Sequence, residues 1–271
     1  MDRLSDTFYR CVYSDAVTNR QNEVHDSFEI AFLRKGSVHA RVADRDYTAG
    51  PGSLFIISRY ESHAFWPLEG TYERYYAWIS DKIMDQIPYA GKILSVFRNR
   101  NSRFSHCIDM GPYAPAVDFA MSQMVYEYKN PTPFSLELML SYFMTILYYC
   151  NRVCPQNFSL ESASKQASIY KIQRYIEEHY EENIKMSELA AQNHFDPSYL
   201  SRFFKKSTGF SLKQYQLFVR MSRARMMLIC SDHPVEYIAA KCGYSDVNIF
   251  IRTFKKEHDI TPLQYRKRER G

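Results

Sequence analysis

The chain has 271 residues, enough for two domains that each bury a core. Hydrophobic residues make up 45% and charged residues 24%, as in an ordinary water-soluble fold. No apolar run approaches the roughly 18 residues that span a bilayer, and Met1–Asp6 lack the basic-then-apolar layout of a signal peptide, so a cytoplasmic location is expected. Charge is uneven: from Glu161 onward there are 19 Lys and Arg against 13 Asp and Glu, and before it 16 against 17. A polyanionic partner would meet the back half. Cys11, Cys107, Cys150, Cys154, Cys230 and Cys242 form no CxxC pair and read as small buried side chains, not as disulfides or zinc ligands.

Between residues 8 and 80, short β-prone runs alternate with turns. Ser27–Leu33, Ser37–Val42 and Ser53–Ile57 are predicted strands, split by Lys35-Gly36 and Gly50-Pro51-Gly52. Strands so short and so regularly broken predict a small antiparallel barrel. Its interior would collect His25, Glu29, Arg34, His63 and Trp66. Hydrogen-bonding groups beside flat aromatic faces suit a small polar ligand, most plausibly a sugar.

After residue 82 the hydrophobic period changes. Pro115–Lys129 and Phe134–Asn151 read as helices. The second has an apolar stripe of Leu136, Leu140, Phe143 and Leu147, with Met139, Met144 and Tyr148 outside it. Such an excess predicts packing both on the barrel and on a second subunit, a homodimer through residues 134–151. The stretch from Asn151 to Gln166, with Pro155 and several Ser, suits a linker. The expected domains are 1–152 for sensing and dimerisation, 153–166 as linker and 167–271 as the basic module.

That module contains a repeat with a period of fifty. Asp196, Arg202, Phe204, Lys205, Lys206, Gln214 and Tyr215 recur as Asp246, Arg252, Phe254, Lys255, Lys256, Gln264 and Tyr265. Each copy reads as helix, turn, helix, then the start of another helix. Short helices over Met186–Asn193 and Pro234–Cys242 precede the turns, and a long one over Leu212–Cys230, carrying Arg220, Arg223 and Arg225, joins the copies. Asp196 is a natural N-cap, Pro197 fits the first helical position and Gly209 supplies a left-handed end. Ser211 with Gln214, and Thr261 with Gln264, make capping boxes.

In the second helix of each copy, Leu200, Phe203, Phe204, Phe250 and Phe254 form the core face. Ser198, Ser201, Arg202 and Lys205 lie at i, i+3, i+4 and i+7 on another, with Asn248, Ile251, Arg252 and Lys255 as counterparts. Such a face suits the major groove: Arg reads guanine, Asn reads adenine, and an apolar group meets the thymine methyl. The joining helix would span about 28 Å at about 1.5 Å per residue. Recognition helices held that far apart could enter successive major grooves.

These residues resemble the AraC/XylS family of bacterial regulators over about Ala167–Arg268. The resemblance rests on Ser198-x-Leu200-x-Arg202-x-Phe204-Lys205, Gly209-x-Ser211, Tyr215, Arg220, Ala224, Ile238-Ala239 and Gly243-Tyr244-x-Asp246. Phe250-x-Arg252-x-Phe254-Lys255-Lys256 and Thr261-Pro262-x-x-Tyr265-Arg266 complete it. Met221, Ile249 and Asp259 depart from the usual Leu, polar or aromatic residue, and Gly. The resemblance implies base contacts by Ser198, Ser201 and Arg202 in the first copy and by Val247, Asn248, Ile251 and Arg252 in the second. Tyr199 belongs to the same surface. Lys205, Lys206, Lys255 and Lys256 would touch the DNA backbone or serve as helix-end charges.

Tyr47-x-x-Gly50-Pro51-Gly52 and His63 resemble the cupin sensing domain that precedes many such modules. His25-x-x-x-Glu29-x6-Gly36 fits the end of the first cupin motif and His63 fits the second, while Glu23, Ser58 and Tyr60 replace the usual His, Pro and Gly. The resemblance implies an α+β chain: a cupin-like antiparallel β-barrel with packed helices, followed by an all-α tandem helix-turn-helix domain. It implies a non-enzymatic transcription regulator whose partners are double-stranded promoter DNA, a small effector, a second copy and, as a candidate, RNA polymerase. Glu23, His25, Glu29 and His63 could ligate a metal, but with an incomplete motif no metal or other cofactor is expected. The alternative is a cupin metalloenzyme with a basic C-terminal module.

Overall fold

Alternation along the strands decides how the front half packs. The computed structural model describes residues 4, 7–15, 23–83, 87, 91–97, 104–158 and 164–270. It divides the chain into Met1–Ala167 and Ser168–Gly271. The first unit has strands β1 (Phe8–Ser14), β2 (Phe28–Lys35), β3 (Val38–Val42), β4 (Arg45–Ala49), β5 (Ser53–Ile57), β6 (His63–Pro67), β7 (Glu73–Ile79) and β8 (Cys107–Asp109). They form two antiparallel sheets, ordered β1-β7-β2-β5-β8 and β4-β3-β6. The cupin-like barrel is thus a pair of sheets with an apolar filling.

On β2, Ile30 and Phe32 belong to a core shared with the helices, while Ala31 and Leu33 belong to the filling with Val38, Ala40, Val42, Phe55, Ile57, Phe65 and Tyr76. A strand buried on both faces reads as a continuous apolar run, as Ser27–Leu33 did.

After a helical turn α1 (Gly91–Leu94), helices α2 (Ala114–Lys129) and α3 (Ser135–Val153) cover the first sheet. Leu136, Met139, Phe143, Ile146, Leu147 and Cys150 of α3 are buried with Val117, Met121 and Met124 of α2. The expected stripe is therefore largely spent inside the unit.

The linker expected over 153–166 needs correction at its front. Val153 ends α3, and Pro155–Phe158 form a 3-10 turn with Asn157 and Phe158 buried. Asn157 accepts from the Ser105 backbone N–H at 3.0 Å and donates to the Ser105 carbonyl at 2.8 Å, anchoring the segment to the front unit. Residues 159–163 lie outside the described residues, and residue 164 already begins a helix. Pro and Ser suggested a loop; the Asn157 contact is invisible to composition.

Cys11, Cys150, Cys154 and Cys242 are buried and Cys107 is half-buried, all as free thiols; the Cys230 side chain lies outside what is described. Burial pushes the thiols up, that of Cys11 to about 12.

The second unit is helical: it takes in most of α4 (Ser164–Glu178), which begins before the division, then α5 (Met186–Gln192), α6 (Pro197–Thr208), α7 (Leu212–Cys230), α8 (Val235–Lys241), α9 (Val247–His258) and α10 (Pro262–Arg270). Asp196 accepts from the Tyr199 N–H, Gly209 ends α6 at φ 81°, and Ser211 with Gln214 closes a capping box. In the second copy Asp246 accepts from the Asn248 N–H, Asp259 takes the left-handed position at φ 62°, and Thr261 pairs with Gln264. Around the second copy Met221, Ala224, Leu228, Ile238, Phe250, Phe254 and Tyr265 pack into one core.

Candidate functional site

In the front unit a polar group sits within the filling between the sheets. Glu29 faces Trp78 across the β2–β7 ladder. Its Oε2 accepts from Trp78 Nε1 at 2.9 Å and lies 2.9 Å from His25 Nε2 and 3.3 Å from His63 Nε2. His25, Glu29 and His63 are all buried, and Glu23 lies 3.9 Å from His63 Nε2. Backbone bonds between Glu23 and His63 in both directions hold the rim.

Burial alone would raise the Glu29 carboxyl, yet the His25 hydrogen bond and the His63 imidazole beside it hold it well below the usual carboxylate range. Burial would lower the His63 imidazole; the Glu29 carboxylate beside it raises it instead. His63 Nδ1 lies 2.8 Å from the Glu61 carbonyl, which can only accept, so that nitrogen carries a proton. Nε2 then meets Glu29 either with a second proton or with a lone pair. His25 is held similarly through Nδ1, by the Ser27 carbonyl at 3.1 Å and hydroxyl at 2.8 Å. One ligand atom from each of His25, Glu29 and His63 falls within 4.8 Å of the others, the donor set of a two-histidine, one-carboxylate metal centre.

Two of the expected pocket residues stand elsewhere, because side chains alternate along a strand. Arg34 shares the helix-facing parity of Ile30 and Phe32 and pairs with Asp118 at 3.2 Å and Glu73 at 3.7 Å. Trp66 lies opposite His39 and tilts against it, ring centroids 5.4 Å apart, on the face away from Phe65 and His63. Trp78 was missed, although its parity with Tyr76 in an apolar-aromatic strand was a usable signal.

The second unit presents two matched helix faces. On α6, Ser198, Ser201, Arg202, Lys205 and Lys206 are exposed, while Leu200 and Phe204 are buried. Tyr199 is half-buried between Phe195 and Phe203, each 5.8 Å away, so packing claims much of its ring. On α9, Asn248, Arg252, Lys255 and Lys256 are exposed, and Val247 and Ile251 are half-buried against the local core. Arg252 Nε donates to the Asn248 carbonyl at 3.3 Å, laying the guanidinium along the helix. Every residue read from the i, i+3, i+4, i+7 pattern is at least partly accessible.

Two exposed basic helix faces set fifty residues apart, in helix-turn-helix copies joined by α7, define a tandem helix-turn-helix module, and it follows a β-unit whose apolar filling holds one buried His25–Glu29–His63 group. Residues 10–82 match the family described as AraC-like ligand binding domain, and residues 189–268 match the family described as helix-turn-helix domain. The transcriptional activator RhaR of Mannheimia succiniciproducens is 29% identical over 253 residues, 90% of this chain and 86% of that one. The lactose operon transcription activator of Staphylococcus xylosus is 27% identical over 48% of this chain and 46% of its own length. The regulator YtdP of Bacillus subtilis is 38% identical, but the match spans only 35% of this chain and 12% of that protein. A solved structure of ToxT from Vibrio cholerae superposes with a TM-score of 0.61 at 12% identity, covering 96% of this chain and 98% of that one, which establishes a shared fold. The chain belongs to the AraC family of transcription regulators. Among the described residues no helix is long and apolar enough to cross a membrane.

Proposed function

We propose that this regulator binds promoter DNA through α6 and α9 and is switched by a small polar metabolite of the sugar class held between the two sheets. The observation that carries the reading is the Glu29 carboxylate, buried among aromatic rings with His25, His63 and Trp78 converging on one oxygen. Such a site is expensive without a function, because a buried charge needs several partners to offset its lost hydration. The lactose operon setting of one relative favours a carbohydrate. Thermal-shift screening of the full chain against sugars and sugar acids tests the reading: a stabilising compound should lose its effect in Glu29→Gln. A stabilising compound whose effect survives that change would place the effector elsewhere.

A second reading has an observation of its own. Among the described residues His63 Nε2 has no aligned hydrogen-bond partner although it is buried. A divalent transition metal on His25, Glu29 and His63 would satisfy it. Metal analysis of the purified chain separates the two readings.

The proposed assembly is a homodimer. While Leu136, Phe143 and Leu147 of the stripe are buried, Phe134 just ahead of α3, Leu138 and Tyr148 on α3, and Phe119 and Tyr126 on α2 stay exposed. They form the surface on which a second copy would pack.

A further inference from the structure

Each recognition helix is referenced to α7 through an aromatic ring. In the first copy, Phe204 of α6 packs edge-on against Tyr215 at 5.5 Å, and the Tyr215 hydroxyl donates to Glu177 of α4 at 2.7 Å. In the second, Phe250 of α9 packs against Tyr244 at 5.4 Å, and Tyr244 lies under the Arg220 guanidinium, 5.4 Å from its centroid. Arg220 does not project from α7 as a free cation. Its Nε donates to the Tyr180 carbonyl at 2.7 Å, and its Nη2 to those of Glu181 at 3.1 Å and Glu182 at 3.0 Å. Gln216, one turn earlier, donates to the Tyr180 and Glu182 carbonyls at 2.9 and 2.7 Å.

The turn so gripped leads into the first copy. The same turn touches the second copy directly: a Cβ on Gly243, at φ +77°, would stand 2.2 Å from the Glu181 carbonyl oxygen. One guanidinium therefore clamps a turn of the first copy and stacks on the ring that seats the second recognition helix.

We propose that Arg220 is a positioning residue that fixes the distance and phase between the two recognition helices, and so selects the spacing of the two half-sites in the DNA. The inference rests on duplex DNA being the partner, and it goes beyond base reading because Arg220 is spent on carbonyls and a ring. Inserting one base pair moves a half-site by about 3.4 Å and turns it by about 35°. A rigid joint must reject that change, and a loosened joint must tolerate it. Lys at 220 keeps the charge but cannot bridge three carbonyls and stack at once.

The test is selection of a randomised duplex library by the full-length protein and by Arg220→Lys and Tyr244→Leu, after thermal melts show which variants are folded. Wild type should enrich two half-motifs at one spacing and lose at least tenfold in affinity when one base pair is inserted. The variants should enrich the same half-motifs over several spacings, with the penalty reduced to less than threefold. If Arg220→Lys does not fold, Tyr244→Leu alone decides, since it removes the ring and leaves the carbonyl clamp. Retention of the single wild-type spacing and its full insertion penalty in a folded variant would overturn the proposal. Loss of a half-motif itself would overturn it too, by making Arg220 a base reader. No DNA selection by wild type would instead defeat the DNA-binding reading on which the inference depends.

Discussion

Arg202 and Arg252 hold the same place in the two copies, and both are exposed at the accessible face of their helices. Replacing either by Ala should cost about 1–3 kcal/mol and relax base preference at one position, the two positions lying in different half-sites. Lys255→Ala should weaken all duplexes alike, because a phosphate contact carries no sequence information. Equal losses on specific and random duplexes for both Arg variants would remove them from the base-reading set. His258 gives a prediction of a different kind. Burial, then the nearby Arg225 and Arg268 charges, lower its imidazole to about 4 from an ordinary 6.5, and its buried Nε2 has no hydrogen-bond partner among the described residues. Between those values the unfolded chain binds the proton and the folded chain does not, so stability falls as pH drops from 6.5 through 4. The first copy has Thr208 at this place, its hydroxyl donating to the Phe204 carbonyl. His258→Thr should flatten the melting temperature of the second unit across that range, and an unchanged acid slope would assign it to other groups.

At the scale of elements, local chemistry was legible where it was one-dimensional. Asp196, Pro197, Gly209 and Ser211 announce the ends of α6 and the start of α7 because capping depends on neighbours in the chain. Face assignment in the front unit was not legible from strand composition. Glu29 and Arg34 lie five residues apart on one strand, an odd separation, so they point to opposite sides; only the observed register shows which side joins His63. The apolar stripe of α3 was visible, but its division between core and surface was not. Leu147 is fully buried, so an Asp there would unfold the front unit; Leu138 and Tyr148 remain exposed at 40% and 55%. Leu138→Asp with Tyr148→Asp should therefore convert a dimer to a folded monomer that still reads its two half-motifs, but binds them more weakly than the dimer does. Analytical ultracentrifugation at micromolar concentration checks this, and a wild-type monomer under those conditions would remove α3 as an interface.

For the whole molecule, the fifty-residue repeat made the DNA-binding half readable, since two matched copies constrain each other. The front half gave less, because a pocket is built from residues distant in sequence: Glu23, Glu29, His63 and Trp78 come from different strands or edges. Switching requires that an effector prefer one arrangement of the chain over another, and a preference of about 1–3 kcal/mol shifts the balance about 5- to 150-fold. Glu29→Gln keeps the shape of the side chain but removes the charge that His63 and His25 answer, so effector binding should fall while DNA affinity without effector stays unchanged. His63→Gln should behave alike. Binding titrations on a selected duplex, with and without the effector, read both quantities in one experiment. If the effector response survives in both variants, the site between the sheets is not the sensor. If instead the wild-type chain carries one Fe, Mn or Zn per molecule and His63→Gln loses it, the convergence of His25, Glu29 and His63 is a metal centre, and the switch must be sought in metal occupancy.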